Sequence, residues 1–214
     1  MRYRARTSTL RWLGLTAALM GFAAVGPVHA EPLAGTALVK ALRQGGYVML
    51  IRHTSSPAAT PDKRTADPEN VKLERQLDQN GRDTARSMGQ AIKKLGIPLG
   101  DVLSSPTYRA LQTVRLASFG KAQPFPELGD GGQSMQAVKD TAAIWLRNKV
   151  AERPRAGTDT VIVTHMPNIA AAFGPTANGV ADGETLVFLP DRKGGAELVA
   201  RIKVEEWTSL ASRQ

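Results

Sequence analysis

Apolar residues follow two patterns along the chain: continuous runs, which are typical of buried strands, and positions three or four apart, which are typical of helices. The continuous runs predict strands at 47–53, 101–104, 160–165, 185–189 and 196–204. The helical spacing predicts helices around 38–42 and at 81–95, 106–119 and 133–150, with a short one opening at Pro167. A short tail containing Trp207 follows the last strand. Strands that alternate with helices predict a layered α/β fold.

Polar side chains stand at the carboxyl ends of three predicted strands. Arg52 and His53 end the first, His165 ends another, and Arg109 follows the strand at 101–104. Ligands of open α/β sheets bind in the crevice beyond the carboxyl ends of the strands. We therefore expect two imidazoles and two guanidiniums to meet in one place. That combination favours a phosphate-ester site, because arginine pairs bidentately with phosphate oxygens and imidazole can act as a nucleophile.

The start of the predicted helix at 106–119 supports an anion site. Ser105 is the expected cap and Pro106 the first helical residue, so that Arg109 falls in the first turn. A cation in this position opposes the helix dipole, and a bound anion would compensate for it. Ser104 and Ser105 are interpreted as caps rather than nucleophiles, because no acid–base partner for them is evident.

The first thirty residues have the features of a secretory signal. Four arginines precede an apolar stretch at 12–26, and Val28-His29-Ala30 resembles a cleavage site. The stretch is shorter than the roughly 20 residues that span a bilayer. We therefore predict a signal peptide at 1–30, a periplasmic or secreted location, and no stable membrane insertion after cleavage. Residues 31–214 are predicted to form a single domain.

Charge and cysteine content exclude several classes of protein. The net charge is +9, and the four arginines of the predicted signal account for four of these charges. The remaining positive charge is modest and spread out, so no nucleic-acid partner is expected. Attraction of small anions is enough to explain it. The chain contains no cysteine. Disulfides, a lipoprotein anchor and a cysteine nucleophile are therefore excluded.

The motifs around these residues resemble those of the histidine phosphatase superfamily, in its phosphoglycerate-mutase-like branch. The resemblance covers residues 46–207 and includes a Leu77-x-x-x-Gly81-Arg82-x-x-Ala85 segment. It is carried chiefly by Arg52-His53, by Ser104-Ser105-Pro106-x-x-Arg109-Ala110-x-Gln112-Thr113, and by Thr164-His165. It implies a three-layer α/β/α fold with a mostly parallel central sheet.

The resemblance also implies a role for each site residue. His53 would be the nucleophile that becomes phosphohistidine, while Arg52, Arg109 and His165 would bind the phosphoryl group. An acidic residue after the second motif would protonate the leaving group. Glu127 is the preferred candidate and Asp130 its competitor. No metal or other cofactor is implied.

The chain departs from the usual motifs on both sides of the histidines. Thr54 and Ser55 follow the nucleophile where the family has Gly and then Glu or Gln, and Thr164 and Met166 flank His165. Thr54 is β-branched and restricts the backbone, but its hydroxyl is a candidate phosphate contact. Mutase activity is therefore not expected.

These observations together predict an exported phosphatase that hydrolyses phosphate monoesters through phosphohistidine at His53. The expected substrate is a small-molecule or glycan phosphate ester. Two alternatives remain open, a non-catalytic anion-binding protein of the same fold and a phosphohistidine protein phosphatase. A two-histidine metal site is disfavoured because no third ligand is evident. The long loop at 54–75 either covers the pocket or is surface.

Overall fold

A computed structural model describes residues 32–57, 74–130, 140–191 and 193–213. The predicted signal peptide, most of the predicted loop at 54–75 and the first part of the predicted helix at 133–150 lie outside these residues. In the part of the chain that is described, no helix is long and apolar enough to cross a membrane.

In the described residues, six strands form one mixed sheet. Their order is β3-β2-β4-β1-β5-β6. The first four run parallel to one another, and β5 runs antiparallel to both β1 and β6. The prediction of a mostly parallel sheet is therefore confirmed. The strands are β1 (Val48–Arg52), β2 (Leu99–Ser104), β3 (Gln123–Pro124), β4 (Asp159–Thr164), β5 (Thr185–Pro190) and β6 (Ala196–Ile202).

Helices cover both faces of this sheet. The helices that the structure describes are α1 (Gly35–Gln44), α2 (Gln79–Lys94), α3 (Tyr108–Leu116), α4 (Asp140–Ala151), α5 (Met166–Phe173) and α6 (Val204–Ser212). Alternate residues of β1 point to opposite faces, so Met49 and Ile51 pack with α1, α2, α3 and α6. Val48 and Leu50 pack with α4 and α5. The three-layer α/β/α prediction is confirmed.

Helices α2 and α3 begin at other residues than predicted. Helix α2 starts two residues earlier than the predicted 81, since the side chain of Asp78 accepts a hydrogen bond from the backbone N–H of Gly81. Helix α3 starts at Tyr108, after Thr107 as the capping residue, and not at Pro106. The oxygen of Ser105 instead accepts from the Thr107 N–H at 3.2 Å. Arg109 stays in the first turn.

The predicted tail after the last strand is wrong, because this segment forms helix α6. At the start of the helix the Glu206 carboxylate accepts a hydrogen bond from the Lys203 backbone N–H at 2.6 Å. Its apolar face is fully buried at Trp207, whose Nε1–H donates to Thr185 Oγ1 at 3.3 Å. The helix therefore closes the core on the side of α1 and α2.

Candidate active site

Two imidazoles and one guanidinium meet where β1 and β4 end and α3 begins. The ring centroids of His53 and His165 are 5.0 Å apart. Arg109 lies against both rings, with Nε donating to His53 Nε2 at 3.3 Å and Nη2 donating to His165 Nδ1 at 3.2 Å. All three side chains are buried. The structure thus brings three of the four residues of the predicted crevice into direct contact.

The contacts of Arg109 determine which ring nitrogens carry hydrogen. A guanidinium only donates, so the nitrogens it faces must accept with a lone pair. The proton of His53 is therefore on Nδ1, which donates to the carbonyl oxygen of Thr54 at 2.8 Å. His53 Nε2 keeps its lone pair and is the nitrogen suited to attack phosphorus.

Burial and positive charge keep both rings neutral. Burial is the main cause that lowers the pKa of His53 well below 6.5, and the neighbouring His165, Arg109 and Arg52 lower it further. The hydrogen bond to the Thr54 carbonyl acts in the opposite direction. Burial, followed by Arg109, Arg75 and Arg52, likewise lowers the pKa of His165. A neutral nucleophile at neutral pH follows from this environment.

Two hydroxyls orient His165, and the sequence interpretation had treated one of them only as a helix cap. His165 Nε2 lies 2.8 Å from Ser105 Oγ and 3.2 Å from Thr107 Oγ1. Because Nδ1 accepts from Arg109, Nε2 carries the hydrogen and donates it to Ser105. The short polar residues between β2 and α3 therefore fix the ring in one tautomer. The Ser-Ser-Pro-Thr run shows these hydroxyls in the sequence, but only the fold shows that their partner is His165.

Of the two candidate acids, Asp130 is the one that contacts this cluster. Its Oδ2 forms an ion pair with Arg109 Nη2, and both side chains are about 95% buried. Glu127 lies in a short 3-10 turn (Pro126–Leu128) and is half-buried, without a hydrogen bond or ion pair to another described residue. The preference for Glu127 as proton donor therefore has no geometric support, and a proton-donor role for either residue stays a prediction.

The segment carrying Asp130 is fastened to the strand and helix that flank His165. Asn168 Nδ2 donates to the carbonyl oxygens of Leu128 and Gly129 at 2.8 and 2.9 Å. The Thr164 hydroxyl also donates to the Leu128 carbonyl, at 2.8 Å. These bonds fix the backbone immediately before Asp130.

Arg52 pairs with two residues in the segment just before β5. Nη1 donates to the Val180 carbonyl at 2.7 Å, and Nη2 lies 2.7 Å from Asp182 Oδ1. Its buried Nε has no hydrogen-bond partner among the described residues. Arg52 is close enough to lower the pKa of both histidines. Its guanidinium is thus held at the border of the cluster, with one donor uncommitted.

Thr54 is fully buried beneath the cluster. Its hydroxyl and its backbone nitrogen each lie 3.3 Å from Thr113 Oγ1. Thr113 in turn donates to the Arg109 carbonyl at 2.9 Å. These contacts connect the end of β1 to the first turn of α3. A phosphate contact by Thr54 stays a prediction.

Arg75 is a third guanidinium near the site, which the sequence interpretation missed. It is 8% exposed, donates to the Ser56 carbonyl at 3.0 Å, and contributes to the lowered pKa of His165. Its neighbour Glu74 accepts a hydrogen bond from the Tyr108 N–H at 3.2 Å. The charged Glu-Arg pair ahead of the Leu77 motif was a usable signal, but nothing local indicated that it folds back onto α3.

Candidate metal ligands do not cluster in the described part of the chain, where no group of three or more histidine, aspartate or glutamate side chains is placed to hold an ion. Metal independence stays a prediction.

Comparison with solved structures identifies the fold. The protein histidine phosphatase SixA complexed with tungstate matches with a TM-score of 0.56 and 19% identity, over 75% of this chain and 98% of that one. A phosphoserine phosphatase variant from Entamoeba histolytica, in complex with phosphoserine, matches with a TM-score of 0.51 and 14% identity, over 74% and 98%. A candidate phosphohistidine phosphatase SixA from Agrobacterium tumefaciens gives 0.51 and 18%, over 74% and 98%.

The chain therefore shares the fold of these phosphatases, and the resemblance predicted from its motifs is confirmed at the level of the fold. At identities below 20%, this likeness shows a shared fold and nothing further. No protein-family model and no curated protein matches the sequence.

Proposed function

We propose that this chain is a phosphatase of the histidine phosphatase kind, which hydrolyses phosphate monoesters through a covalent phosphohistidine at His53. The observation that carries the proposal is the buried contact of His53 Nε2 with Arg109, beside His165. A nucleophilic lone pair and a permanent cation in one water-poor site are what phosphoryl transfer requires of a protein.

The reaction takes place in two displacements at phosphorus. His53 Nε2 forms a bond to phosphorus while the bond to the ester oxygen breaks, and the ester oxygen leaves as the alcohol with a proton from an acidic side chain, for which Glu127 and Asp130 are the candidates. The ring then carries positive charge, which the hydrogen bond from Nδ1 to the Thr54 carbonyl favours. Water next attacks phosphorus and gives a proton back to that carboxylate, the phosphorus–nitrogen bond breaks, and inorganic phosphate leaves with His53 restored. Arg109 and Arg52 balance the charge of the phosphoryl oxygens.

The first experiment uses an aryl phosphate, whose good leaving group needs little protonation. We expect turnover that survives chelator, that disappears in His53→Ala, and that yields phosphorylated His53 in rapidly quenched samples. Arg115→Met, which changes an exposed arginine of α3, serves as the control and should retain activity. Tight phosphate binding without turnover would instead establish the alternative of a non-catalytic anion-binding protein.

A phosphohistidine protein is the second substrate class worth testing, because two of the matched structures are described as histidine or phosphohistidine phosphatases. An imidazole leaving group needs less acid assistance than an alkoxide. Glu127→Gln and Asp130→Asn should therefore be compared on an alkyl phosphate and on a phosphohistidine peptide. Loss on the alkyl ester alone supports small-molecule or glycan phosphates. Wild-type turnover that is far faster on the peptide than on the alkyl ester supports a protein substrate instead.

Export is part of the proposal and is supported by the charged and apolar pattern of residues 1–30. The full chain, expressed in a bacterium, should be recovered outside the cytoplasm with Glu31 as its first residue. Ala30→Arg should block the cleavage. Recovery of the uncleaved wild-type chain in the cytoplasm would contradict export and leave the chemistry of the site unaffected.

A further inference from the structure

We infer that Asp130 is a positioning residue that holds Arg109 over the nucleophilic nitrogen, and that the phosphoryl group of the substrate binds by replacing this carboxylate on Arg109. The inference deepens the phosphatase function proposed above and depends on it for the identity of the anion. It assigns Asp130 a role different from that of a proton donor, because the carboxylate acts here through Arg109.

The nucleophile is covered in this structure. The lone pair of His53 Nε2 accepts a hydrogen bond from Arg109 Nε at 3.3 Å. The same lone pair must point at phosphorus during attack. The nitrogen and the guanidinium must therefore separate before the phosphorus–nitrogen bond forms, with Arg109 moving onto the phosphoryl oxygens.

Asp130 holds Arg109 in this position. Nη2 of Arg109 contacts both Asp130 Oδ2 and His165 Nδ1, while Nε contacts His53. Among the described residues, Asp130 is the only acidic side chain that contacts Arg109. A buried carboxylate bound to a buried guanidinium is well neutralised, so Arg109 has no electrostatic reason to leave His53 until another anion arrives.

Carboxylate and phosphate compete for the same N–H donors of Arg109. The planar guanidinium pairs with either group through the same N–H donors. A phosphoryl group placed beside His53 would lie next to the Asp130 carboxylate in a buried setting, where two negative charges repel strongly. The phosphoryl group can bind only if the carboxylate gives up Arg109.

The movement required is local, because the backbone around Asp130 is anchored. Asn168 and Thr164 hold the Leu128 and Gly129 carbonyls through bonds of 2.8 to 2.9 Å. The exchange therefore involves the side chains of Asp130 and Arg109 while the anchored backbone stays in place. In this respect the carboxylate is an internal competitor of the substrate.

The test is oxyanion binding by Asp130→Asn, which removes the charge and keeps the volume of the side chain. Tungstate and inorganic phosphate are the probes, and affinity is measured from the rise in thermal stability that each produces. We expect the variant to bind both anions at least about tenfold more tightly than wild type. We also expect a KM for an aryl phosphate that is lower by a similar factor.

Asp101→Asn is the matched control. Its carboxylate pairs with Arg155 on the exposed surface at 3.4 Å, so the same charge change should leave anion affinity within about twofold. Asp130→Asn leaves Arg109 buried without its carboxylate and is expected to be less stable. The anion-induced stabilisation still reports affinity in that case. If the variant does not fold without ligand, Asp130→Ser refolded with and without tungstate provides the same measurement.

The outcomes separate this inference from the proposed function. Unchanged or weaker oxyanion binding by both Asp130 variants, with wild-type turnover through phosphorylated His53, overturns the inference and leaves the phosphatase intact. Tighter binding by the variants, with no turnover by any form, supports the competition and contradicts the phosphatase. A raised KM in Asp130→Asn would mean that the carboxylate only supports the site, which also overturns the inference.

Discussion

Replacing Arg109 with methionine should leave the Asp130 carboxylate buried without the guanidinium that neutralises it. The two side chains are 5% and 4% exposed, so water cannot substitute for the lost partner. Removing one member of a buried pair costs about 3–5 kcal/mol of the free energy of unfolding. Coulomb attraction across roughly 4 Å, at an effective dielectric constant of about 20, gives about 4 kcal/mol. We therefore expect a loss of about 4 kcal/mol at pH 8.

The loss should shrink as the pH falls, because Arg109 is one of the charges that lower the pKa of His53 and His165. Without Arg109 both pKa values rise relative to wild type. A buried histidine whose pKa is lowered in the folded state costs stability as the pH falls below 6.5. This cost is larger in wild type, where Arg109 adds to the lowering caused by burial. At pH 5.5 the variant should recover part of the difference from wild type.

Urea unfolding at pH 8 and pH 5.5 measures both effects. Arg109→Met is compared with wild type, with the double variant Arg109→Met/Asp130→Asn, and with Arg115→Met as an exposed control expected to change stability by less than about 0.5 kcal/mol. The double variant should be more stable than the single one at pH 8. A single variant within about 1 kcal/mol of wild type, or a double variant as unstable as the single one, would refute the buried pair as described.

Three further predictions concern the surroundings of the site and the core. Ser105→Ala removes the closest acceptor of the His165 Nε2–H and should lower kcat on an aryl phosphate about fivefold, the equivalent of about 1 kcal/mol; an unchanged kcat would show that the Thr107 hydroxyl suffices. Burial raises the pKa of Asp159 to about 7, so the folded state holds a proton that the unfolded state releases. Wild-type stability should therefore fall as the pH rises from about 4 to about 7, by about 1.4 kcal/mol per pH unit from this group. The fall should be absent from the urea-unfolding pH profile of Asp159→Asn, and parallel profiles would contradict it. Trp207→Ala should cost about 3–5 kcal/mol of unfolding free energy, because the ring is fully buried in the core; a loss under 1 kcal/mol would mean that α6 packs loosely.

The layered fold was predictable because the strands are buried on both faces. A strand with helices on either side reads as a continuous apolar run, as in Val48–Arg52 and Asp159–Thr164. The helix boundaries were less accurate, since several nearby residues could serve as caps. Ser105 is a good cap by residue type, but in the fold its hydroxyl bonds to His165 and the capping position falls to Thr107.

Helix α6 was missed for a related reason. Few apolar residues mark its face, and the run of β6 was extended to 204, over the first residue of the helix. What stabilises the helix is Trp207 packed against other elements, a contact that no local pattern records. In the same way, the sequence placed Glu127 and Asp130 three residues apart without distinguishing them. The path of the turn buries one beside Arg109 and leaves the other half-buried.

The local pattern of the chain was sufficient to place His53 and His165 at the ends of buried strands and Arg109 in the first turn of a helix, because parallel strands bring such ends to one edge of a sheet. Only the tertiary structure decided which atoms meet there. The lone pair of His53 Nε2, the carboxylate on Arg109 and the hydroxyls on His165 depend on distances between segments far apart in the chain. Differences of about 1 Å, which no sequence pattern records, decide whether such groups bond or merely lie near one another.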